Sequence, residues 1–389
     1  MACLATGCGS RDAARAPSWV ALATVNCEPW RPSDADWSSL PTSRPANIGT
    51  LSASPSGRYL YSVGSWLDAG HAKRQILRSP DLGETWCVLP APGRVAEILP
   101  SPASESVLYA LTCADSAAAP HLVKTTDGGA TWSAPSAALP GLNVADCSGG
   151  SSLLQVSFTD PDTLWLNRFD RQALDLSRDG GESWASVAYP PALSAPYDPQ
   201  APEILRSVDG LVIDPTSAAR VLAWGNITIT GIRPQNVIGP ERWFSTRDAG
   251  QTWRELAPPL PTNTQWQRIK VLVDAASLLY LSTDSVLLRS TDWGETWTKA
   301  GALPEPFANL ATLGSRRSGQ LFAWRADASN NHNANANATV WRSIDGGSYW
   351  SLLAAPLPLD SGIDPVLVPD GADVIVARGS LGITTTTNG

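Results

Sequence analysis

Residues able to do chemistry are spread along the chain instead of gathered into one signature. The three histidines, His71, His121 and His332, are isolated, and no H-E-x-x-H pair occurs. The six cysteines, Cys3, Cys8, Cys27, Cys87, Cys113 and Cys147, contain no C-x-x-C spacing. A tetrahedral metal site needs such clustering, so no metal is expected. Phosphate-cradling G-x-x-x-x-G-K-[ST] loops and G-x-S-x-G nucleophile elbows do not occur either, and no cofactor is expected. That leaves acids, arginines and aromatics between apolar runs. Asp68, Asp170, Asp198 and Glu241 could serve glycoside hydrolysis, whose two carboxylates need only oppose each other across a cleft, but their spacing selects no pair. Arg168, Arg171, Arg233 and Arg242 could grip a carboxylate bidentately, and Trp66 and Tyr197 could offer flat contact area. Arginine and aromatic residues dominate binding hot spots, so these six are the candidate ligand contacts.

The elements that must position them are set by a repeat. Its pattern is Ser/Thr-x-Asp-x-Gly-x-Thr/Ser-Trp. The first three copies are Ser79-Pro-Asp81-Leu-Gly83-Glu-Thr85-Trp86, Thr125-Thr-Asp127-Gly-Gly129-Ala-Thr131-Trp132 and Ser177-Arg-Asp179-Gly-Gly181-Glu-Ser183-Trp184. The next two are Thr246-Arg-Asp248-Ala-Gly250-Gln-Thr252-Trp253 and Ser290-Thr-Asp292-Trp-Gly294-Glu-Thr296-Trp297. The sixth, Ser343-Ile-Asp345-Gly-Gly347-Ser-Tyr349-Trp350, has Tyr349 in place of Ser or Thr. In such a turn the carboxylate accepts from nearby N–H and hydroxyl groups, and glycine supplies a positive φ. The tryptophan starts the next strand and can bury its face between neighbouring sheets while its N–H finds a partner.

Upstream of each copy lies a softer repeat: an apolar run, a short polar turn, and a second apolar run. The turns centre on Ser54-Pro55, Ser101-Pro102, Asp160-Pro161, Asp214-Pro215, Asp274-Ala275, Gly314-Ser315 and Pro369-Asp370. The unit therefore reads strand a, tight turn, strand b, variable loop, strand c, Asp turn, strand d. Four short strands recurring in this way point to a propeller blade, not a helical solenoid. Seven hairpins predict an all-β fold, a single seven-bladed β-propeller with four-stranded antiparallel blades. Its last blade is expected to use strands at 365–369, 373–378 and 382–387, after which Thr386-Thr-Asn388-Gly389 resembles the opening of a further Asp turn. Residues 18–47 are expected to close that blade, through Ser18-Trp19-Val-Ala-Leu-Ala-Thr24 or Asp34-Ala-Asp36-Trp37-Ser-Ser-Leu-Pro41.

Over residues 48–389 these motifs resemble the BNR, or Asp-box, repeats of sialidases, sortilin-type ectodomains, xyloglucanase-like glycosidases and photosystem II assembly factors. The resemblance implies that the six aspartates and their tryptophans belong to the scaffold, away from the ligand face. Ligands are then expected on the face of the b–c and d–a loops, which carries all six candidate contacts. Sialidases of this kind use an arginine triad, a Tyr/Glu nucleophile pair and an Asp acid/base, with the first arginine in Arg-Ile-Pro. No Arg-Ile-Pro occurs; Arg44-Pro45 and Ile232-Arg233-Pro234 are the nearest matches.

Composition narrows the partners. A net charge of −8 without a basic run argues against nucleic acid, and no apolar stretch is long enough for a membrane span. Met1-Ala-Cys-Leu-Ala-Thr-Gly-Cys8 resembles the tail of a bacterial lipoprotein signal, so residues 1–17 read as a leader or tail with a lipid anchor at Cys8. In an exported protein Cys113 and Cys147, both assigned to the loop face, are expected to form a disulfide. The chain is expected to be a monomeric, extracytoplasmic, non-catalytic module that binds a protein segment or a glycan; the alternative is a sialidase-like or other glycoside hydrolase. Tryptophan, 17 residues against 7 Tyr and 5 Phe, is mostly an imprint of the repeat. Trp66, with Trp243 or Trp266, remains for a ligand.

Overall fold

The computed structural model describes residues 47–386 apart from 49–50, 69–70, 91–92, 113–119, 134–138, 140–153, 169–172, 189, 191–203, 230–236, 239–241, 258, 260–269, 284–285, 305–308, 313–317, 327–335, 353–356, 360–365, 369–373 and 380–381. The first blade holds β1 (Asn47–Ile48), β2 (Ser52–Ala53), β3 (Leu60–Asp68), β4 (His71–Ser79) and β5 (Cys87–Val88). The second holds β6 (Val95–Pro100), β7 (Leu108–Thr112) and β8 (Leu122–Thr125), and Ser133 N–H donates to Lys124 O beside it. The third holds β9 (Leu154–Val156), β10 (Leu164–Arg168), β11 (Ala173–Ser177) and β12 (Ala185–Ala188). The fourth is longer: β13 (Ile204–Asp214), β14 (Ser217–Ile229), β15 (Val237–Ile238), β16 (Arg242–Thr246) and β17 (Arg254–Leu256). The fifth holds β18 (Lys270–Val273), β19 (Leu279–Ser282), β20 (Val286–Ser290) and β21 (Thr298–Ala302). The sixth holds β22 (Asn309–Thr312), β23 (Leu321–Ala326), β24 (Ala336–Ser343), β25 (Ser351–Leu352) and β26 (Leu357–Leu359).

Strands pair antiparallel in sequence order within each blade, as in β18-β19-β20-β21. The expectation of seven equivalent blades is corrected: six blades follow the repeat, not seven. The remaining sheet, β27 (Val366–Val368), β28 (Val374–Gly379) and β29 (Gly382–Thr386), has three strands and no Asp turn among the described residues. Counting apolar hairpins overestimates blades, because a complete blade also needs the turn and the strand after it.

The core sits between blades. Trp165, Leu174 and Leu176 of the third blade pack with Leu211, Val221 and Phe244 of the fourth. Val212, Leu222 and Trp243 of the fourth pack with Val271, Leu279 and Leu281 of the fifth. A strand covered on both faces needs no polar alternation, which is why β7 and β19 are buried at every position.

All six Asp turns share one hydrogen-bond pattern. In the first, Ser79 Oγ donates to Asp81 Oδ1 at 2.9 Å and accepts from Gly83 N–H at 2.7 Å. Thr85 N–H donates to Asp81 Oδ1 at 2.8 Å, and the Thr85 hydroxyl donates to Oδ2. In the sixth, Tyr349 keeps only the backbone bond to Asp345 Oδ1, at 3.0 Å. Gly83 and its counterparts hold positive φ, +97° at Gly83, where a Cβ would strain the turn. The indoles differ in what they reach: Trp86 Nε1 donates to Gly83 O within its turn, whereas Trp253 and Trp350 donate to Ala188 O and Ala302 O on the preceding blade. The expectation that each turn tryptophan pairs its N–H is not met at Trp132 and Trp184, whose Nε1 atoms are buried without a partner among the described residues.

The turns titrate low. For Asp127 and Asp179 burial works in the opposite direction, but donation by the hydroxyl and N–H of Thr131 and Ser183 outweighs it and holds each carboxyl at about 2. The Thr252 hydroxyl and N–H do the same for Asp248. Since an unfolded Asp titrates near about 3.9, these groups stabilise the fold fully above that pH, and the contribution is lost as pH falls from about 4 to about 2. The melting midpoint should therefore be level at neutral pH and fall through that acid window. Asp127→Asn should shallow the fall, and an unchanged acid slope would remove these carboxyls as its cause.

Candidate functional site: the central channel and its loop face

The inner strands β2, β6, β9, β13 and β18 surround a cavity of about 490 Å³ on the axis of the ring. Its wall is largely apolar, with Ile98, Val156, Val212 and Val271 beside the polar groups of Ser52, Glu97 and Gln155. Gln155 is fixed by donation from its amide to Leu211 O, at 2.7 Å, on the next inner strand. Arg74, in β4, spans to the start of β6, with Nε and Nη2 donating to Val95 O and Ala96 O at 3.0 and 3.2 Å. Burial, with the like charge of Arg94, lowers the Arg74 pKa.

Hydrogen bonds divide the two faces of the ring. Asp turns dock on the a–b hairpin of their own blade: Gly128 N–H on Ser106 O, Gly180 N–H on Asp162 O, Ala249 N–H on Ala219 O and Gly346 N–H on Gly319 O. Those two sets of turns share one face, so antiparallel strands carry the b–c and d–a connections to the other. The a–b hairpins also join from blade to blade. Asp214, fully buried, accepts from Arg220 Nη1 and, across the blade boundary, from Ser277 Oγ at 2.6 Å. Asp274, fully buried too, accepts from Gly319 N–H and Ser318 Oγ of the sixth blade. Burial, then the Asp274 carboxylate, pushes the Tyr280 phenol up to about 12. This face is stitched together from blade to blade.

Three of the six candidate contacts fall within described strands. Trp66 lies in the β3–β4 hairpin opposite Lys73, near its Asp68–His71 tip. Arg168 ends β10 opposite Ala173, and Arg242 opens β16 opposite Gly225. All three therefore belong to the b–c end of their blades. The Arg242 guanidinium is engaged with Glu255 Oε1 at 3.0 Å on outer strand β17, an exposed pair that contributes little to stability. Arg171, Tyr197 and Arg233 lie outside the described residues, as do Cys8, Cys113, Cys147 and the segments 1–17 and 18–46. Trp243 is corrected: it is 1% exposed and stacks on Trp224 at 5.4 Å, so it belongs to the core.

Sequence reasoning missed Glu97, Gln155 and Arg74 because it searched loops, whereas these positions belong to strands. The first apolar run of each repeat is its inner strand, so a polar residue within one, such as Glu97, was the available signal. Cys87 was missed as well: it is disulfide-bonded. Among the described residues no three His, Cys, Asp or Glu side chains gather into a metal site. No described helix is long and apolar enough to cross a membrane.

The fold so defined is an all-β propeller with antiparallel blades. No family model matches the chain. A xyloglucanase of Paenibacillus sp is 27% identical over 167 residues, covering 37% of this chain and 16% of that protein. The GH74 xyloglucanase of Xanthomonas campestris matches in structure at TM-score 0.52 and 18% identity, covering 89% of this chain and 53% of that one. The Niastella koreensis GH74 enzyme matches at TM-score 0.53 and 15% identity, with 88% and 53% covered. The chain thus spans about half the length of these solved structures, and the likeness shows the propeller fold.

Proposed function

We propose that this chain is an extracytoplasmic binding module built on BNR/Asp-box repeats, holding a carbohydrate or protein segment on the b–c and d–a loop face. The carrying observation is that the Asp turns and a–b hairpins of the other face are bonded to one another within and between blades, which leaves the b–c and d–a ends free of that bonding. The apolar channel, with a few placed polar groups, has a composition that ligand sites favour but extends to Pro102 and Phe158 at the a–b hairpins. The similarity to a xyloglucanase makes a glucan chain the first ligand to test. Trp66, Arg168 and Arg242, at the b–c ends of three blades, are the proposed contacts within described strands, and Arg171, Tyr197 and Arg233 complete the set. The disulfide at Cys87 supports an oxidising compartment.

The module is read as non-catalytic because glycoside hydrolysis needs two opposed carboxylates, and Glu97 is the one acid among the described residues lining the cavity. Hydrolysis is the second reading, favoured by the same xyloglucanase similarity. Calorimetric titration with xyloglucan oligosaccharides should give saturable binding that Trp66→Ala weakens by tenfold or more, roughly the loss of one aromatic hot spot. Reducing-end release should stay at background. Sustained release would replace the binding reading with a hydrolase, and binding of extended peptides but not glucans would assign the face to protein.

A further inference from the structure

Five of the six Asp turns satisfy their own carboxylate. In each, the hydroxyl of Thr85, Thr131, Ser183, Thr252 or Thr296 donates to the second carboxylate oxygen. The sixth turn has Tyr349 where that hydroxyl would be. Asp345 Oδ1 accepts from Ser343 Oγ at 2.7 Å and from the Ser348 and Tyr349 N–H groups at 3.0 Å each. Its Oδ2 accepts no hydrogen bond from the described residues. Donation by the Tyr349 N–H, then by the Ser343 hydroxyl, holds the carboxyl below its usual range, so the group is ionised at neutral pH.

The apolar surface gathers at the same place. Among the described residues, the exposed large apolar or aromatic side chains are Ile344, Tyr349 and Leu352, at 75%, 73% and 64%. Single exposed apolar residues are ordinary, but these all belong to one turn and to β25, the strand that follows it. The scaffold does not ask for them. Thr or Ser builds the same turn in the other five copies, and the Ile344 position is held there by Pro80, Thr126, Arg178, Arg247 and Thr291. At the Leu352 position the third, fourth and fifth blades carry Ser186, Glu255 and Lys299.

We propose that the sixth Asp turn is a docking surface for a protein segment that presents an arginine or lysine beside an apolar side chain. Tyr349 N–H makes the bond to Oδ1 that Thr85 N–H makes in the first turn. Its side chain therefore leaves the backbone where the Thr85 hydroxyl reaches Oδ2, which sets the ring beside the open oxygen. A cation placed there meets a carboxylate and an aromatic face together. An exposed ion pair alone is worth little, so contact with Tyr349 and Ile344 supplies most of the affinity and the cation supplies selectivity. An anionic lipid surface would be repelled by the same carboxylate, and the net charge of −8 favours a basic partner. The Asp turns lie on the face opposite the b–c and d–a loops, so this surface is separate from the ligand face proposed above.

The test uses the full chain and a labelled, extended peptide that alternates arginine with leucine, followed by fluorescence polarisation. Binding should saturate, and it should weaken as ionic strength rises. Tyr349→Thr, which rebuilds the turn used in the other five copies, should weaken it by roughly tenfold or more, the loss of one aromatic anchor. This variant should melt no lower than the parent, because the new hydroxyl can donate to Asp345 Oδ2; lost binding is then not lost folding. A peptide with glutamate in place of arginine should not bind. Unchanged affinity in Tyr349→Thr, equal binding of the glutamate peptide, or no saturation at all would overturn the assignment. Adsorption to phosphatidylcholine vesicles, or self-association of the chain, that Tyr349→Thr removes would give the surface to a membrane or to a second copy and overturn it equally.

Discussion

Trp165→Ala should cost about 3–5 kcal/mol of unfolding free energy, the range for deleting a fully buried indole. Trp165 is 0% exposed and stands in β10 at the boundary of the third and fourth blades. Its ring meets Leu211, Val221 and Phe244 of the fourth blade, and its Nε1 donates to Ala218 O at 3.4 Å. The hydrogen bond is long and adds little; the loss is one of packing. Two sheets pinned by their own ladders cannot close on the void, so the cost belongs at the upper end of the range. Against a total stability of about 5–15 kcal/mol, the variant should show a large drop in urea midpoint. Trp165→Phe should recover more than half of the loss. A cost under about 1 kcal/mol would show that neighbouring blades do not depend on each other's packing.

Gly301→Ala should be a damaging single-methyl addition, at about 1–3 kcal/mol or more. A Cβ built at Gly301, in β21, falls 2.2 Å from the backbone carbonyl oxygen of Gly347 in the sixth Asp turn. No flexible side chain is there to yield, so the turn or the strand must move. Gly294→Ala is the useful contrast for space, since its Cβ would meet the Leu222 and Leu256 methyls at 3.2 Å, although its φ of +87° adds strain of its own. Because Trp350 Nε1 donates to Ala302 O next to the clash, tryptophan emission should report the shift at that boundary. An unchanged melting midpoint for Gly301→Ala would mean that the fifth and sixth blades are not seated as closely as described.

What could be read from the sequence was whatever the chain encodes within a few residues. The Asp turns were legible because Ser79, Asp81, Gly83 and Thr85 complete one another's hydrogen bonds without help from elsewhere. The last sheet was legible too, its apolar runs lying where β27, β28 and β29 are found. The blade count was not, because an apolar hairpin looks the same whether or not a fourth strand joins it.

Side-chain fate was the least legible. Trp293 occupies a turn position held by glycine in three other copies, and its φ of +64° would suggest an exposed, strained residue. It is instead 2% exposed, with the Arg220 guanidinium 4.9 Å above its ring. Only a neighbour from another blade decides that. The channel wall was hidden for the same reason, since Glu97 and Gln155 meet through strands that are distant in sequence. For the loop-face contacts, the sequence located strand ends but not the direction of a guanidinium, as Arg242 and Glu255 show.

The contacts that reach out of each turn, from Trp253 to Ala188, from Trp350 to Ala302 and from Ser277 to Asp214, all stop at the adjacent blade. None described here skips one. A ring joined solely through handshakes between neighbours behaves as a circular chain of links, each carrying its own share of cohesion. Opening should then begin at the weakest link and travel outward one blade at a time, and amide exchange should grade around the circle from that point.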